Sequence, residues 1–148
     1  MREPIQVLVY PVREKGDDWE YLLLKRIENI GGFWQGVTGA PEKGEDILDA
    51  AKRELLEETS YIPNFVFQTD FSYKILVEEK FNKDYPEGVT EIPEHVFVAR
   101  INQPDLPSID SQEHEDWKWC SFDEAFELLK WEDNKKALEH VRNILEEK

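Results

Sequence analysis

Three glutamates near the middle of the chain are spaced so that they could build one acidic site. Glu54 precedes Glu57 by three residues and Glu58 by four, so on a helix their carboxylates are neighbours. Like charges at this spacing destabilise a helix by about 0.2–0.5 kcal/mol per pair, and a divalent cation would reverse that repulsion. Mg²⁺ takes oxygen ligands and often joins carboxylates to substrate phosphates. The spacing leaves two interpretations open: a metal site, or a charged helix with incidental salt bridges.

The segment that carries these glutamates is predicted to be a helix with one apolar stripe. Residues 45–59 contain no glycine or proline and have apolar residues at helical period. The stripe consists of Ile47, Leu48, Ala51 and Leu55. On a helical wheel Glu58 falls inside this stripe, while Glu54 lies at its edge. A carboxylate on the inward face of a helix is not an ordinary solvated side chain.

A longer pattern surrounds the acidic helix. Gly39 is followed after five residues by Glu45, and Glu45 after seven by the run Arg53-Glu54-Leu55-Leu56-Glu57-Glu58-Thr59-Ser60-Tyr61. This pattern resembles the Nudix box, G-x5-E-x7-R-E-U-x-E-E-x-G-U, in which U is a bulky aliphatic residue. Ser60 and Tyr61 depart from it at the last glycine and the last aliphatic position. Serine adopts a left-handed conformation less readily than glycine, so the sequence does not determine how the chain leaves the helix after Thr59. Neither departure removes a carboxylate of the motif.

The resemblance implies both a fold and a chemistry. The implied fold class is α/β, a Nudix-type α/β/α sandwich with a mixed sheet and a loop-helix-loop catalytic motif, here as one domain over residues 1–148. The implied reaction is hydrolysis of a nucleoside diphosphate linked to another group, with Mg²⁺ or Mn²⁺ as cofactor. Carried over by position, the metal ligands are the Gly39 carbonyl, Glu54, Glu57 and Glu58. Arg53 then orients the carboxylates, and the general base is a helix glutamate or a carboxylate from a distant loop.

Segments outside the box resemble one branch of the family, whose members release pyrophosphate from dihydroneopterin triphosphate or dATP, the former in folate synthesis. These segments are residues 33–39, residues 85–90, Glu113-His114 with Trp119, and Trp131 with Asn134. By this resemblance Glu113 is a further metal ligand or base, although it is also one acid among 33. The resemblance further implies that Lys25 or Arg26 contacts the triphosphate and that Thr38 makes a polar substrate contact.

Aromatic residues near the box could stack on a pterin or purine ring. Trp34 stands at the mouth of the glycine-rich loop and is either a core residue or a pocket residue. Trp131, just before the last helix, is predicted to form a pocket wall. Trp117 and Trp119 alternate with Lys118, so both are predicted to face the core.

The leading functional hypothesis is a Mg²⁺-dependent pyrophosphohydrolase acting on dihydroneopterin triphosphate or a (deoxy)nucleoside triphosphate. A dinucleoside polyphosphate hydrolase is the rival of the same class, because such enzymes also carry a Trp-Gln pair before the box. A Nudix-fold binding module without catalysis is the rival of another class. Its expected signature is loss of Glu54, Glu57 or Glu58, and all three are present.

Mixed strands and helices are predicted to position these groups. Hydrophobic patterning predicts strands at residues 5–12, 21–26, 65–81, 95–101 and 116–120. It predicts helices at residues 45–59, 121–129 and 133–147, the second opened by the capping box that begins at Ser121. Elements mixed in this order favour an α/β or α+β sandwich over a helical bundle.

Composition narrows the classes of function. The 148 residues contain 33 Asp and Glu against 18 Lys and Arg, a net charge of −15. That charge argues against binding a nucleic-acid polymer and makes a divalent metal necessary for binding a polyphosphate.

One cysteine permits neither an internal disulfide nor a cysteine-rich zinc site, so a reducing, cytoplasmic compartment is predicted. No apolar run is long enough to cross a membrane. The predicted partner is a small nucleotide or pterin triphosphate, and the oligomeric state is left open.

Overall fold

The computed structural model describes residues 3–77 and 85–147. Its centre is a mixed sheet of seven strands. The strands are β1 (Gln6–Lys15), β2 (Asp18–Arg26), β3 (Trp34–Gln35), β4 (Val37–Gly39), β5 (Phe65–Leu76), β6 (Glu91–Arg100) and β7 (His114–Cys120). β1 and β6 are parallel, and the other pairings of the described strands are antiparallel. The sheet order is β3-β2-β1-β6-β5, with β4 beside β1 and β7 beside β2.

Two layers of helices cover the sheet. The helices are α1 (Ile47–Thr59), α2 (Phe122–Leu128) and α3 (Glu132–Glu146), with a single 3-10 turn at Glu28–Ile30. The side chains of β1 alternate between the two faces of the sheet. Leu8 and Tyr10 pack with α2 and α3 on one face, and Val7 and Val9 pack with α1 on the other. The predicted α/β/α sandwich with a mixed sheet is therefore confirmed. No helix of the described ranges is long and apolar enough to cross a membrane.

The predicted elements are all present, with shifted ends. β5 ends at Leu76, and part of the predicted extension to residue 81 lies outside the described residues. β6 begins at Glu91, four residues before the predicted start, because it pairs with the far end of β5. The short strands β3 and β4 were not predicted. Each is held by pairing with β2 or β1, and two or three residues are too few to show a periodic pattern.

Helix α1 is closed at both ends by local hydrogen bonds. The Asp46 carboxylate accepts a bond from the Leu48 N–H at 2.8 Å, as an N-cap residue does. At the other end Ser60 adopts the left-handed conformation (φ 66°, ψ 8°), and its N–H donates to the Leu56 carbonyl at 2.8 Å. The helix exit therefore has the shape that glycine gives in the family motif, although serine occupies the position.

We expect Ser60→Gly to stabilise the protein. A left-handed non-glycine residue costs about 1–2 kcal/mol, and the extra chain entropy of glycine offsets about 0.5–1 kcal/mol of the gain. Urea unfolding should therefore show the free energy of unfolding raised by about 0.5–1 kcal/mol. Ser111→Gly is the matched control, since among the described residues Ser60 is the one non-glycine residue with positive φ. Destabilisation by Ser60→Gly would show that the serine is not strained.

Candidate active site

Arg53 is the centre of the polar contacts around α1. Its Nε and Nη2 donate to the two carboxylate oxygens of Glu45 at 3.0 and 2.9 Å, and Nη2 also donates to the Ala40 carbonyl at 3.1 Å. Its Nη1 donates to Glu54 at 2.7 Å and to Glu57 at 3.2 Å. The hydrogen bonds to Glu45 and Glu54 raise the pKa of Arg53, and the bond from Arg53 lowers the pKa of Glu45. One guanidinium thus joins the loop before the helix to two of the helix carboxylates.

Gly39 lies against the carboxylate of Glu54. It ends β4 opposite Val7 of β1, and a Cβ at this position would stand 2.2 Å from the Glu54 carboxyl carbon. Only glycine permits this approach of backbone and carboxylate. The geometry brings together two groups that the sequence predicts to share a metal ion.

Glu58 is a buried carboxylate in an acidic surrounding. Its residue is 4% exposed, in agreement with its place on the inward stripe of the helical wheel. Burial raises its pKa well above the ordinary value, and the hydrogen bond and charge of Glu54 and the charge of Glu113 add to this effect. Burial, followed by the charge of Asp110, also raises the pKa of Glu113. These carboxyl groups destabilise one another unless protons or a cation neutralise them.

His114 belongs to the same cluster. Its Nε2 lies 3.6 Å from Glu58 Oε1, and one potential ligand atom from each of Glu58, Glu113 and His114 lies within 4.8 Å of the others. Neither ring nitrogen has a hydrogen-bond partner within the described part of the chain. Burial, followed by the charge of Arg26, lowers the pKa of His114 to about 4, so the ring is neutral at pH 7. The Glu113-His114 pair was the sequence signal for this neighbour, but only the fold places it beside α1.

The donor set fits a hard divalent cation. Glu54, Glu58 and Glu113 offer carboxylate oxygens, which Mg²⁺ and Mn²⁺ accept, and a cation would offset the repulsion that raises the pKa of Glu58. Glu57 stands further out, with its side chain 54% exposed and held by Arg53. The individual ligand assignments stay predictions.

A large cavity opens beside this cluster. Its volume is about 1520 Å³, and its wall includes Arg26, Thr38, Gly39, Glu54 and Glu113. Trp131 also lines it, 48% exposed, as predicted for a pocket wall. Its ring meets Phe33 edge to face with centroids 5.7 Å apart. The cavity therefore joins the acidic cluster to an aromatic surface.

Two predicted substrate residues lie elsewhere. Lys25 is not among the described residues that line the cavity, and its Nζ pairs with Glu115 at 3.3 Å. Arg26 lines the cavity and Lys25 does not, and the pairing of β2 with β7 shifts its register between these two residues. Trp34 is also absent from the described lining and packs against the core cluster next to α2 and α3. Of the alternatives that the sequence left open, the fold brings Arg26 rather than Lys25 to the cavity wall and packs Trp34 against the core, while the roles of these residues stay predictions.

Sequence reasoning missed a second polar group in the cavity wall, formed by Gln6, Tyr73, Glu94 and Asn134. Glu94 is 3% exposed and accepts hydrogen bonds from the Tyr73 hydroxyl and the Gln6 amide. Burial raises the pKa of Glu94, and these two bonds oppose the shift. The sequence signal that could have revealed this group was Glu94 itself, an acid that interrupts the apolar residues on one face of β6.

Comparison with known proteins agrees with this geometry. The NUDIX domain family profile matches residues 2–141. The chain belongs to the Nudix family. A dihydroneopterin triphosphate diphosphatase of Escherichia coli is 30% identical over 93% of this chain and 91% of its own length. An asymmetrical bis(5'-nucleosyl)-tetraphosphatase of Rattus norvegicus is 28% identical over 85% of this chain and 80% of its own.

Solved structures share the fold. A NUDIX hydrolase from Listeria monocytogenes superposes with a TM-score of 0.82 at 28% identity, covering 97% of this chain and 94% of that one. Together these similarities show that this Nudix protein is a pyrophosphohydrolase. Nudix hydrolases generally use a divalent metal, and the Glu/His cluster beside α1 is a place for it. Nudix relatives act on small nucleotide or pterin substrates.

Mg²⁺ should raise the Tm of the Nudix protein. A ligand at about 100 times its Kd stabilises the folded state by about 2.7 kcal/mol, which for a domain of this size is a rise of about 5–10 °C. Calorimetric scans with MgCl₂, compared with NaCl at equal ionic strength, measure the effect. An equal Tm in both salts would contradict a metal site among these carboxylates.

Proposed function

We propose that this Nudix protein is a Mg²⁺-dependent pyrophosphohydrolase, with Mn²⁺ as an alternative cofactor. Its proposed substrate is dihydroneopterin triphosphate or a (deoxy)nucleoside triphosphate such as dATP, cleaved to the monophosphate and pyrophosphate. One observation carries the proposal: the cavity that receives Glu54 and Glu113 is also lined by Arg26 and the half-exposed Trp131. An acidic metal site, a cation for phosphate and an aromatic surface for a ring thus lie in one space.

The acidic residues of the site would hold the cation and supply the general base. Glu54, Glu57, Glu58, Glu113 and the Gly39 carbonyl would hold the cation. The chemistry that a bound cation would supply there is charge stabilisation of the phosphate oxygens and activation of water. Water attacks a phosphorus atom, the bridging P–O bond breaks, and a carboxylate takes the proton of the water. The candidates for that base are Glu57, Glu58 and Glu113.

Other residues would bind the substrate or orient the metal ligands. Arg26 offers its guanidinium to the phosphates, and Thr38 offers its hydroxyl. Arg53 fixes the helix carboxylates through its bonds to Glu45 and Glu54, which is a positioning role. Trp131 provides the face on which a heterocycle stacks.

A dinucleoside polyphosphate hydrolase is the alternative in the same class, favoured by the similarity to the rat tetraphosphatase. A binding module without catalysis is the alternative of another class, and retention of the helix glutamates opposes it. A cytoplasmic location, proposed from the single cysteine, stays a prediction.

Product identification tests the proposal. Purified protein with Mg²⁺ is incubated with dihydroneopterin triphosphate, the four dNTPs and diadenosine tetraphosphate, and products are separated by ion-exchange chromatography. Pyrophosphate and a monophosphate from a triphosphate are expected. Cleavage of diadenosine tetraphosphate with inert triphosphates would favour the polyphosphate hydrolase. Absence of cleavage in the whole panel would favour the binding module.

A further inference from the structure

Glu94 is a buried carboxylate in the cavity wall that the metal chemistry does not use. It lies on β6 between apolar residues, and its neighbours on the same face, Val96 and Val98, belong to the core cluster next to α2 and α3. A buried carboxylate is costly unless hydrogen bonds compensate it. A carboxylate among valines therefore needs hydrogen-bond donors, either from other side chains or from a ligand.

Three adjacent strands hold this carboxylate. Gln6 on β1 and Tyr73 on β5 both lie directly opposite Glu94 in the register of the sheet. One donates its amide N–H to Oε2 and the other its hydroxyl to Oε1. The carboxylate is thus clamped from both sides by side chains on neighbouring strands.

Helix α3 completes the clamp. Asn134, in the first turn of the helix, donates its amide to the Tyr73 hydroxyl at 2.9 Å. The Tyr10 hydroxyl donates to the main-chain carbonyl of Asn134 at 2.8 Å. The Tyr73 hydroxyl therefore accepts from Asn134 while it donates to Glu94, so its orientation is fixed and Glu94 keeps its role as acceptor.

The clamped carboxylate still has unused acceptor capacity. A carboxylate offers about four lone-pair sites, and within the described residues two side chains donate to Glu94. Both of these donors line the same cavity as Glu94 and Trp131. A ring that stacks on Trp131, three residues before Asn134, would stand at the cavity wall formed by this network.

We propose that Glu94 reads the heterocycle of the substrate by accepting two adjacent N–H groups, and so selects a 2-amino-4-oxo-pyrimidine edge. This inference rests on the proposed function and specifies its substrate class: triphosphates of guanine or of a pterin, in preference to those of adenine.

Hydrogen-bond chemistry supplies the selectivity. Guanine and 4-oxo-pterins present a ring N–H beside an exocyclic amino group, and these two donors match the two carboxylate oxygens. Adenine and cytosine present one amino group beside an unprotonated ring nitrogen, so a carboxylate meets one donor and one lone pair. Thymine presents a ring N–H between two carbonyls. A site built to pair with two donors rejects a ring that lacks one, because a buried polar group is then left unpaired.

Deletion of one donor from the ligand tests the inference without altering the protein. dITP differs from dGTP only by lacking the 2-amino group. We expect kcat/KM for dGTP to exceed that for dITP by about 10- to 100-fold, and dGMP to bind more tightly than dIMP by a comparable factor in calorimetry. Equal values for the two bases would overturn the inference. The monophosphate titration keeps the test valid even if no triphosphate is cleaved, an outcome that would refute the proposed function separately.

A variant then assigns the selectivity to the residue. Glu94→Gln replaces one acceptor by a donor, so it should lower the dGTP to dITP ratio of kcat/KM to within about threefold and raise kcat/KM for dATP, because the amide offers a donor to the unprotonated ring nitrogen of adenine. Glu91→Gln is the matched control on the same strand, since Glu91 is exposed. Thermal unfolding checks that both variants fold. If Glu94→Gln keeps the wild-type dGTP to dITP ratio, or if Glu91→Gln loses it, Glu94 does not select the base.

A second variant applies if Glu94→Gln does not fold. Tyr73→Phe, which removes one donor to Glu94, should then reduce the same ratio, and an unchanged ratio would overturn the proposal.

Discussion

Replacement of Glu58 by glutamine should lower kcat by about 10²- to 10⁴-fold with little loss of stability. Catalytic metals contribute several kcal/mol of charge stabilisation, and each 1.36 kcal/mol is tenfold in rate. Glutamine keeps the shape of the side chain but removes the charge that holds a cation next to Glu54 and Glu113. Steady-state assays on the best substrate of the panel measure the loss, and Mg²⁺ titration calorimetry measures the accompanying loss of affinity.

Two controls separate this loss from general damage. Glu139→Gln, on α3, should leave kcat unchanged because Glu139 is exposed and is not among the described residues that line the cavity. Thermal unfolding without metal should show that Glu58→Gln is folded. A near-normal Mg²⁺-dependent rate in Glu58→Gln would show that the family's metal role does not carry over to this position.

The same variant should change how stability depends on pH. Burial raises the pKa of Glu58 in the folded state above its ordinary value of 4.5. Above that value the folded protein keeps a proton that the unfolded chain has released, so the free energy of unfolding of the metal-free protein falls as pH rises. Urea unfolding in EDTA from pH 5 to pH 8 should show this fall, and Glu58→Gln should reduce its slope. An equal slope in both proteins would contradict the raised pKa.

Replacement of Arg53 by lysine should lower Mg²⁺ affinity and kcat/KM by about 10- to 100-fold, as loss of residues that orient metal ligands does. The guanidinium contacts Glu45, Glu54 and the Ala40 carbonyl at once. A lysine ammonium is one nitrogen and cannot span these acceptors in a fixed plane. The carboxylates of α1 then lose their common anchor, although the charge is conserved.

Metal dependence distinguishes Arg53→Lys from loss of a ligand. Because the ligands remain, raising Mg²⁺ should restore part of the kcat of Arg53→Lys but not that of Glu58→Gln. Lys52→Ala, an exposed neighbour on the same helix, is the control and should retain wild-type values. Wild-type Mg²⁺ affinity and kcat/KM in Arg53→Lys would show that charge alone is needed at position 53.

Local spacing predicted the part of the site that lies on one helix. Glu54 and Glu58 are neighbours whenever residues 47–59 are helical, and helical period alone places Glu58 on the buried side. The same spacing places Arg53 one helical turn before Glu57, and its guanidinium donates to that carboxylate at 3.2 Å. The family resemblance added the fold class, which the sandwich of two helical layers on a mixed sheet confirms.

Contacts between distant segments required the tertiary structure. Lys25 and Arg26 are equivalent cations in the sequence, and only the direction of β2 in the sheet decides which one faces the cavity. Ser60 depends on the same level of organisation, because packing of α1 and the chain that follows holds it in a left-handed conformation that its side chain disfavours.

The sequence by itself determined that the carboxylates of the acidic helix lie side by side, because helical geometry turns spacing of three and four residues into neighbouring side chains, and the family resemblance then implied metal chemistry for them. The tertiary structure alone decided that Glu113 and His114 meet Glu58, and that Gln6, Tyr73 and Glu94 form one row across three strands. Pairing of strands depends on hydrogen bonds between residues far apart in the chain, such as Tyr21 of β2 and Cys120 of β7, and no local pattern encodes their register. The candidate metal ligands of α1 could therefore be predicted from one segment, whereas the row of Gln6, Tyr73 and Glu94, for which we propose a role in substrate selection, exists only in the folded sheet.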